Sequence, residues 1–456
     1  MADEEQKIVV NGVHTYSKTG YIPPKEKEVQ EHLEWFRDQK FALMMHFGVY
    51  CQLGMVASWA LSDEDQEWSR RNVNWTTDAK EFRKQYFDLN KSFNPIRFNA
   101  DEWAEMAKQS GFRYLLFTTK HHDGFSMWDT DCTDYKVTAP DCPYHTAKHP
   151  DIVGEVFRAF REKGLGIGAY FSKPDWHNQD YWNTELQGDR PTTRNVSYDP
   201  AEHPEMWERY REFCRKQILE LCTRYGKIDI LWLDGGWVCY KTGQEIRVGE
   251  IVDECRKVQP WLISADRTVG GPYENYITPE MQIPEEPLEE PWESCLTLGT
   301  DFDYRFGDHY KSPREIINLL VNVVAKGGNL APNVSPQPDG RIPVEAIPSL
   351  QGIGQWLKTY GEAIYGTRVC APYQSHNVAF TQKNGVVYAL RMYERLTEAV
   401  EAELFIPYTG RVSKVSFLDS GEAVDFRACD GGIMVTIPIE RRYGTVPIAM
   451  VFRIEK

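Results

Sequence analysis

Five short apolar runs in this sequence end at residues that could do chemistry. A carboxylate at the end of an apolar strand is costly to bury without a partner, and Asp234 occupies such a position. Gly235 and Gly236 follow it and would let a ligand approach the backbone closely. The alternative is that Asp234 only caps the turn that follows. The five polar segments are 46–50, 120–125, 172–176, 234–237 and 266–267.

Aromatic and imidazole side chains accompany these strand ends. Trp232 precedes Asp234 by two positions, so a strand would place its indole beside the carboxylate, an arrangement that suits a sugar ring. His121 and His122 are potential metal ligands, but adjacent residues of an extended segment point to opposite faces. They could therefore share one ion only at a sharp bend. We expect them instead to make hydrogen bonds to hydroxyl groups, or one of the pair to be a buried structural histidine.

The apolar runs alternate with segments of helical period, which is typical of βα units around a parallel sheet. A doubly wound dinucleotide-binding sheet would need a Gly-x-Gly-x-x-Gly turn after its first strand, and none is present. We therefore predict an α/β fold with a (β/α)8-like (TIM) barrel, whose catalytic groups lie at the carboxyl ends of the strands. The predicted strands are 41–45, 113–119, 166–171, 228–233, 262–265 and 329–334, and the predicted helices are 99–111, 151–163, 204–225, 243–258, 313–325 and 344–360.

The hydrophobic period changes to two from about residue 368, which indicates antiparallel strands. Examples are the runs 386–392, 412–417 and 433–438, and turn signals such as Asn384-Gly385 lie between strands. We predict a catalytic barrel domain at 1–367 and a separate antiparallel β domain at 368–456.

Composition excludes several function classes. The chain has 456 residues with 52 Lys and Arg against 67 Asp and Glu, and this net charge of −15 would repel nucleic acid. No run approaches the ~18 uninterrupted apolar residues of a membrane span, so no membrane partner is expected. The ten cysteines contain no Cys-x-x-Cys pair and are expected to be reduced. Residues 1–7 lack the basic and apolar parts of a signal peptide, which predicts a cytoplasmic protein, or an exported one whose leader has been removed.

Several motifs occur in one order along the chain. They are 35–41 leading into 45–50, 98–104 leading into 119–125, 170–172 with 175–176, 231–237, 292–295, 327–329 with 333–340, and 361–366. Taken together they resemble the α-L-fucosidases of glycoside hydrolase family 29 over roughly residues 30–370. Lys-His-His-Asp-Gly-Phe at 120–125 is the most specific motif, and 368–456 resembles the β-sandwich that follows the barrel in that family.

The resemblance implies a retaining exo-hydrolase that removes terminal α-L-fucose through a covalent fucosyl-enzyme. It implies Asp234 as the nucleophile. Two glutamates that follow it are candidates for the general acid/base, Glu280 and Glu293, and Glu280 is favoured because its loop matches the position of the acid in relatives of similar layout. The implied substrate-binding positions are His46, Trp59, His121, His122, Tyr170, Trp232 and Arg267.

One segment departs from the family pattern. Many members have an aromatic and acidic stretch after the first strand, where this chain has Ala-Ser-Trp-Ala-Leu-Ser-Asp-Glu-Asp at 57–65. Trp59 could still form a wall of the site. Which of Asp63, Glu64 and Asp65 faces the sugar stays open.

The implied scheme needs no metal or organic cofactor, and the expected partner is a fucosylated oligosaccharide or glycoconjugate. Linkage preference and association into a homo-oligomer stay open. The alternatives are another exo-glycosidase on the same scaffold, acting on an L-galactoside or arabinoside, a non-catalytic fucose-binding protein, and a metal-dependent barrel hydrolase. The C-terminal domain either packs against the barrel or binds glycan.

Overall fold

A curled, seven-stranded parallel sheet is the centre of the molecule. The computed structural model describes residues 20–70, 73 and 75–456. The strands are β1 Ala42–Met45, β2 Tyr114–Lys120, β3 Gly166–Ser172, β4 Ile230–Asp234, β5 Ile263–Asp266, β6 Glu293–Thr297 and β7 Asn329–Asn333. Their order in the sheet is β5-β4-β3-β2-β1-β7-β6, which confirms the predicted barrel class.

The segment between β5 and β6 takes the place of an eighth strand. It carries no regular strand, but it pairs with β6 at isolated bridges between Ile277 and Trp292 and between Glu280 and Cys295. The sheet is therefore closed by irregular backbone on this side. Glu280 lies at the carboxyl end of that backbone, level with the strand ends.

Helices cover the outside of the sheet, and most strand-to-strand connections contain one. Among the described residues, none of the helices combines the length and hydrophobicity of a bilayer span. The helices are α1 Lys27–Gln39, α2 Gln66–Ser69, α3 Ala79–Phe87, α4 Ala100–Gln109, α5 Ile152–Glu162, α6 Thr184–Gln187, α7 Pro204–Arg224, α8 Val248–Arg256, α9 Pro313–Ala325 and α10 Ile347–Tyr360.

Helix starts follow from capping side chains. The Asn99 side chain accepts hydrogen bonds from the first backbone N–H groups of α4, and Asp151 does the same for α5. Ser312 and Glu315 form a reciprocal capping box at the start of α9. These caps account for helices 99–111, 151–163 and 313–325 being predicted close to their observed bounds.

Side chains alternate between the barrel interior and the layer beneath the helices. On β2, Tyr114 and Leu116 belong to the interior cluster, whereas Leu115 and Phe117 belong to the outer one. Helix α1 closes the amino-terminal end of the barrel, where the Phe36 ring lies 4.4 Å from that of Tyr276. The opposite, carboxyl end is left for the site.

Two antiparallel sheets form a sandwich at the carboxyl end of the chain. The five-stranded sheet has the order β12-β15-β10-β9-β8 and the three-stranded sheet the order β11-β14-β13, and β8 begins at Arg368. Phe380, Val435 and Phe452 share the core between them. The strands are β8 Arg368–Ser375, β9 Val378–Lys383, β10 Val386–Met392, β11 Glu403–Ile406, β12 Lys414–Phe417, β13 Phe426–Cys429, β14 Gly432–Thr436 and β15 Ala449–Glu455.

The outer face of the five-stranded sheet packs on the barrel. Leu390 and Val451 on that face belong to the same buried cluster as the barrel helices. Arg314 of α9 reaches across and donates hydrogen bonds to the backbone oxygens of Tyr393 and Pro447, at 2.6 and 2.8 Å. The sheet is thus buried on both faces.

Two element predictions were wrong or missing. The predicted helix 243–258 begins only at Val248, because Arg247 before it has a left-handed backbone with φ of 59°. Strand β6 was not predicted. It begins with Glu293 and continues with Ser294 and Cys295, so its polar residues concealed a fully buried strand.

Candidate active site

A cavity opens at the carboxyl ends of the parallel strands, as the fold class predicts. It brings together eight of the ten residues proposed from the sequence; His122 lies directly behind its wall, and Glu293 lies elsewhere. The lining residues are Met44, His46, Val56, Ala57, Trp59, His121, Tyr170, Trp232, Asp234, Arg267, Glu280, Cys295, Phe302 and Asp303.

Asp234 is the last residue of β4, and its side chain is almost fully buried. Each carboxylate oxygen receives a hydrogen bond. The Arg267 Nη1 donates to Oδ1 at 2.7 Å, and the Tyr170 hydroxyl donates to Oδ2 at 2.6 Å. These two donors stabilise the charged carboxylate and fix its orientation.

Arg267 joins the two candidate carboxyl groups. Its Nη2 donates to Glu280 Oε2 at 2.6 Å, while its guanidinium lies 4.1 Å from the centre of the Trp232 ring. Burial lowers the pKa of Arg267, but the charges of Asp234 and Glu280 raise it by more, so it stays above its usual range. One guanidinium therefore spans the space between the strand-end aspartate and Glu280.

The imidazoles of the cavity are neutral. Burial lowers the pKa of His46 and lowers that of His121 well below its usual value. Asn333 donates its amide to a backbone oxygen of Phe302, which fixes its Oδ1 as the acceptor for His46 Nδ1 at 2.7 Å. His46 Nε2 is then the nitrogen with a free lone pair, which can accept a hydrogen bond from a hydroxyl group.

The sequence allowed His121 and His122 to lie together only at a sharp bend, and the structure has such a bend. Their rings lie only 4.2 Å apart, because the chain leaves β2 in a turn rather than as an extended strand. The Gly124 amide donates to the His121 carbonyl oxygen at 3.0 Å, and Gly124 itself has a φ of +78°. His121 lines the cavity, whereas His122 lies fully buried against Trp59, at 4.8 Å between ring centres.

This turn also creates a geometry that metal ions can use. His121, His122 and Asp234 each place one potential ligand atom within 4.8 Å of the others. The Arg267 guanidinium and the Tyr170 hydroxyl already contact both oxygens of Asp234. A divalent cation at Asp234 would have to compete with that arginine, so the residues around Asp234 do not suit a metal.

Trp59 forms one wall of the cavity from a short 3-10 helix, Trp59–Leu61. The three acids that follow do not line the cavity. Asp63 binds Arg83 at 2.8 Å, and Asp65 binds Arg194 through both of its oxygens. Glu64 accepts a hydrogen bond from the Arg194 backbone amide.

Glu293 is not part of the cavity, which corrects its proposal as an acid/base candidate. It is the first residue of β6 and faces the barrel interior beside Tyr114 and Tyr276, near the closed amino-terminal end. Burial raises its pKa to about 7. The structure therefore places Glu293 beneath the cavity rather than in its lining.

Six cavity residues were not proposed from the sequence: Met44, Val56, Ala57, Cys295, Phe302 and Asp303. Met44 and Cys295 lie on strands, where their types indicate only a core. Phe302 lies in the otherwise polar stretch 300–305 together with Tyr304, and two aromatic residues there could have suggested a binding surface. Its ring lies 5.4 Å from that of His46.

A strand-end aspartate and a second carboxyl group, held together by one arginine and walled by indoles and imidazoles, define a glycoside hydrolase on a parallel barrel. The sequence profile described as Alpha-L-fucosidase matches residues 8–362. The chain therefore belongs to the alpha-L-fucosidase family.

Relatives and solved structures agree with this assignment. Alpha-L-fucosidase of Dictyostelium discoideum is 28% identical over 377 residues, which are 78% of this chain and 77% of that protein. Alpha-L-fucosidase isoenzyme 1 from Paenibacillus thiaminolyticus has a TM-score of 0.76 at 28% identity, covering 94% of this chain and 99% of that one. Thermotoga maritima alpha-fucosidase, in complex with a mechanism based inhibitor, has a TM-score of 0.73 at 26% identity, covering 96% and 100%.

Proposed function

We propose that the protein is a retaining, exo-acting α-L-fucosidase that hydrolyses terminal α-L-fucose from glycans. The observation that carries the proposal is the pair Asp234 and Glu280, both bound to Arg267 at the end of the barrel. Retaining glycosidases use two carboxyl groups that lie close together, about 5–5.5 Å apart. A shared guanidinium supports such a short separation.

Asp234 is the nucleophile in this proposal. One of its oxygens attacks C1 of the sugar and forms an ester bond, while the bond from C1 to the leaving oxygen breaks. Glu280 gives its proton to that oxygen. The Tyr170 hydroxyl and Arg267 hold the Asp234 carboxylate ready, and the positive charge that develops on the sugar faces the remaining carboxylate charge.

Water completes the reaction in the second step. Glu280, now ionised, takes a proton from water, and the oxygen of that water attacks C1. The ester bond to Asp234 breaks and releases the sugar with its original configuration. Glu280 ends the cycle protonated, so protons and bonds balance without any further reactant.

The shape of the cavity supports exo action on a single terminal sugar. Trp232 and Tyr170 form its floor, with ring centres 5.1 Å apart, and Trp59 and Phe302 stand at its sides. Because Trp232 and Tyr170 belong to the packed barrel interior, a sugar can enter only from the carboxyl end, which suits the end of a chain rather than its middle. Hydroxyl groups would meet His46, whose Nε2 can accept a hydrogen bond, and His121.

A 2-deoxy-2-fluoro-fucosyl fluoride tests this proposal directly. We expect the reagent to inactivate the enzyme and to add one 2-fluoro-fucosyl group to the tryptic peptide 228–241, which contains Asp234. Mass spectrometry of the digest locates the label. Asp234→Asn should remain unlabelled and should lose several orders of magnitude in kcat.

A label on any other peptide would overturn the assignment of Asp234. Hydrolysis of aryl L-galactosides or arabinosides faster than an aryl fucoside would replace fucose as the substrate. Binding of fucose without turnover would favour a non-catalytic protein. The cytoplasmic location, or export with removal of a leader, stays a prediction from the sequence, and the oligomeric state stays open.

A further inference from the structure

We propose that Trp68 is the platform for the first sugar of the leaving group, and that this sugar is a neutral pyranose. The proposal rests on the proposed function, because it places a second sugar next to the one held beside Asp234. It concerns the surface outside the cavity, on the loop that carries α2. Trp68 itself does not line the cavity.

Trp68 is an exposed indole in a fixed position. Trp68 is 48% exposed, yet its Nε1 donates a hydrogen bond to Asp65 Oδ1 at 3.1 Å. Its ring centre lies 6.0 Å from that of Trp59, which forms the cavity wall. A sugar attached to the residue in the cavity would therefore meet Trp68 directly beyond Trp59.

Buried contacts hold this platform from beneath. Asp65 is 1% exposed and accepts from Arg194 Nε at 2.9 Å and from its Nη2 at 2.5 Å. The Arg194 guanidinium in turn lies 4.6 Å from the centre of the Trp59 ring. One ion pair thus fixes both the wall of the cavity and the indole outside it.

The backbone of Arg194 is equally well anchored. Its carbonyl oxygen accepts from Trp237 Nε1 and from the Tyr181 hydroxyl, each at 2.9 Å. Trp237 lies three residues after Asp234, so the platform is tied to the strand that carries the nucleophile. An exposed aromatic ring loses little side-chain entropy on binding when it is already ordered in this way.

The chemistry around Trp68 selects the class of sugar. An indole face offers a large apolar surface that suits the C–H face of a pyranose. Glu64 and Glu67 lie exposed on the same loop and give its outer edge a negative charge. A leaving group with a carboxylate or sulfate would be repelled there, whereas a neutral sugar would not.

The test compares substrates with and without a leaving-group sugar. In Trp68→Ala we expect kcat/KM for a neutral fucosyl disaccharide to fall about tenfold more than kcat/KM for α-L-fucosyl fluoride, which corresponds to about 1.4 kcal/mol of binding free energy. The difference should appear mainly in KM. Trp68→Phe should recover most of the loss, because a benzene ring keeps a flat apolar face.

Tyr443→Ala is the matched control, since Tyr443 is an aromatic residue 76% exposed in the C-terminal sandwich. It should leave the ratio of the two kcat/KM values unchanged. Equal losses on both substrates in Trp68→Ala, or no loss on either, would overturn the platform. Failure of the wild-type enzyme to hydrolyse fucosyl fluoride would instead refute the proposed function.

The negative charges of Glu64 and Glu67 allow a second, independent test of the proposal. Replacing both Glu64 and Glu67 by Gln should raise kcat/KM several-fold for a disaccharide that carries a sulfate on the leaving-group sugar, relative to the neutral disaccharide, and added salt should shrink this gain. An unchanged ratio would contradict the assignment to a neutral sugar.

Discussion

Arg267 gives the two carboxyl groups of the cavity a common cation. It offsets the repulsion between Asp234 and Glu280, so both can lie close together in the absence of a sugar. The leaving oxygen must come within hydrogen-bond distance of Glu280 to receive its proton. We therefore expect a bound sugar to move next to the carboxyl oxygen that Arg267 contacts in this structure.

Glu280 can be tested as the acid by chemical rescue. Glu280→Ala should lower kcat by about 10²–10⁴ on a substrate with a poor leaving group, because proton donation is lost. On an activated aryl fucoside the loss should be smaller, and azide should restore turnover by attacking the fucosyl-enzyme. Steady-state rates with and without azide, and identification of the fucosyl azide product, provide the measurement.

Glu293→Gln is the matched control for this experiment. Glu293 is a second glutamate from the same part of the chain that does not line the cavity, so azide should not accelerate its variant. Rescue of Glu293→Gln but not of Glu280→Ala would contradict the site as the structure arranges it.

The residues of the site could be predicted unequally from the sequence. Asp234 and Arg267 follow apolar strands, and strand ends meet at one edge of a parallel barrel, so the rule that predicts them is general. Glu280 and Glu293 could not be separated, because 274–281 is irregular and β6 resembles a loop. The directions of the His121 and His122 side chains could not be predicted either, since they depend on the turn that ends at Gly124.

At the scale of elements, caps decided how well helix bounds could be predicted. The side chain of Asn99 accepts from the backbone amides of Asp101 and Glu102 at the start of α4. Arg247, by contrast, gives α8 no side-chain cap and a left-handed entry. The start of α4 was visible in the sequence, and the start of α8 was not.

The cap of α4 makes a measurable contribution to stability. Asn99→Ala should lower the free energy of unfolding by about 1 kcal/mol, because two amides of the first turn lose their acceptor. Asn99→Ser should stay closer to the wild type, since serine also caps and adds no charge beside Glu102, whose Oε1 accepts from Asn99 Nδ2 at 2.9 Å. Urea unfolding of the three proteins measures this, and a Ser variant as unstable as the Ala variant would contradict the cap.

At the scale of the whole molecule, the outer face of the sandwich is buried in the same cluster as the barrel helices. The five-stranded sheet packs one face on the three-stranded sheet and the other on the barrel, and Arg314 of α9 donates to backbone oxygens of the sandwich. The period-two pattern after residue 368 predicted the second domain, but a pattern of alternation cannot indicate that both faces of a sheet are covered. The packing of the sandwich against the barrel depends on contacts between residues far apart in sequence, and a local hydrophobic pattern cannot predict such contacts.

Three buried carboxyl groups of the structure have a raised pKa, so each is harder to ionise than an exposed carboxyl. Burial raises the pKa of Asp123, of Glu274 and of Glu293 to about 7 in each case. A carboxyl whose pKa is higher in the folded than in the unfolded chain binds more protons when folded over the pH range between the two values. Each of these groups therefore lowers stability as the pH rises from about 4.5 to 7.

The Glu293→Gln variant measures how much Glu293 contributes to this loss of stability with rising pH. Its usual pKa is 4.5 and its folded pKa is about 7, so between pH 5 and pH 8 the wild type should lose about 2 kcal/mol of stability that the uncharged Gln variant keeps. Urea unfolding at four pH values gives the difference between the two proteins, which should move in favour of the variant as the pH rises. Glu28→Gln, at an exposed position of α1, is the control and should follow the wild type. Parallel curves for Glu293→Gln and the wild type would mean that Glu293 is already ionised in the folded barrel, and the interior beside Tyr114 would then have to stabilise a full negative charge.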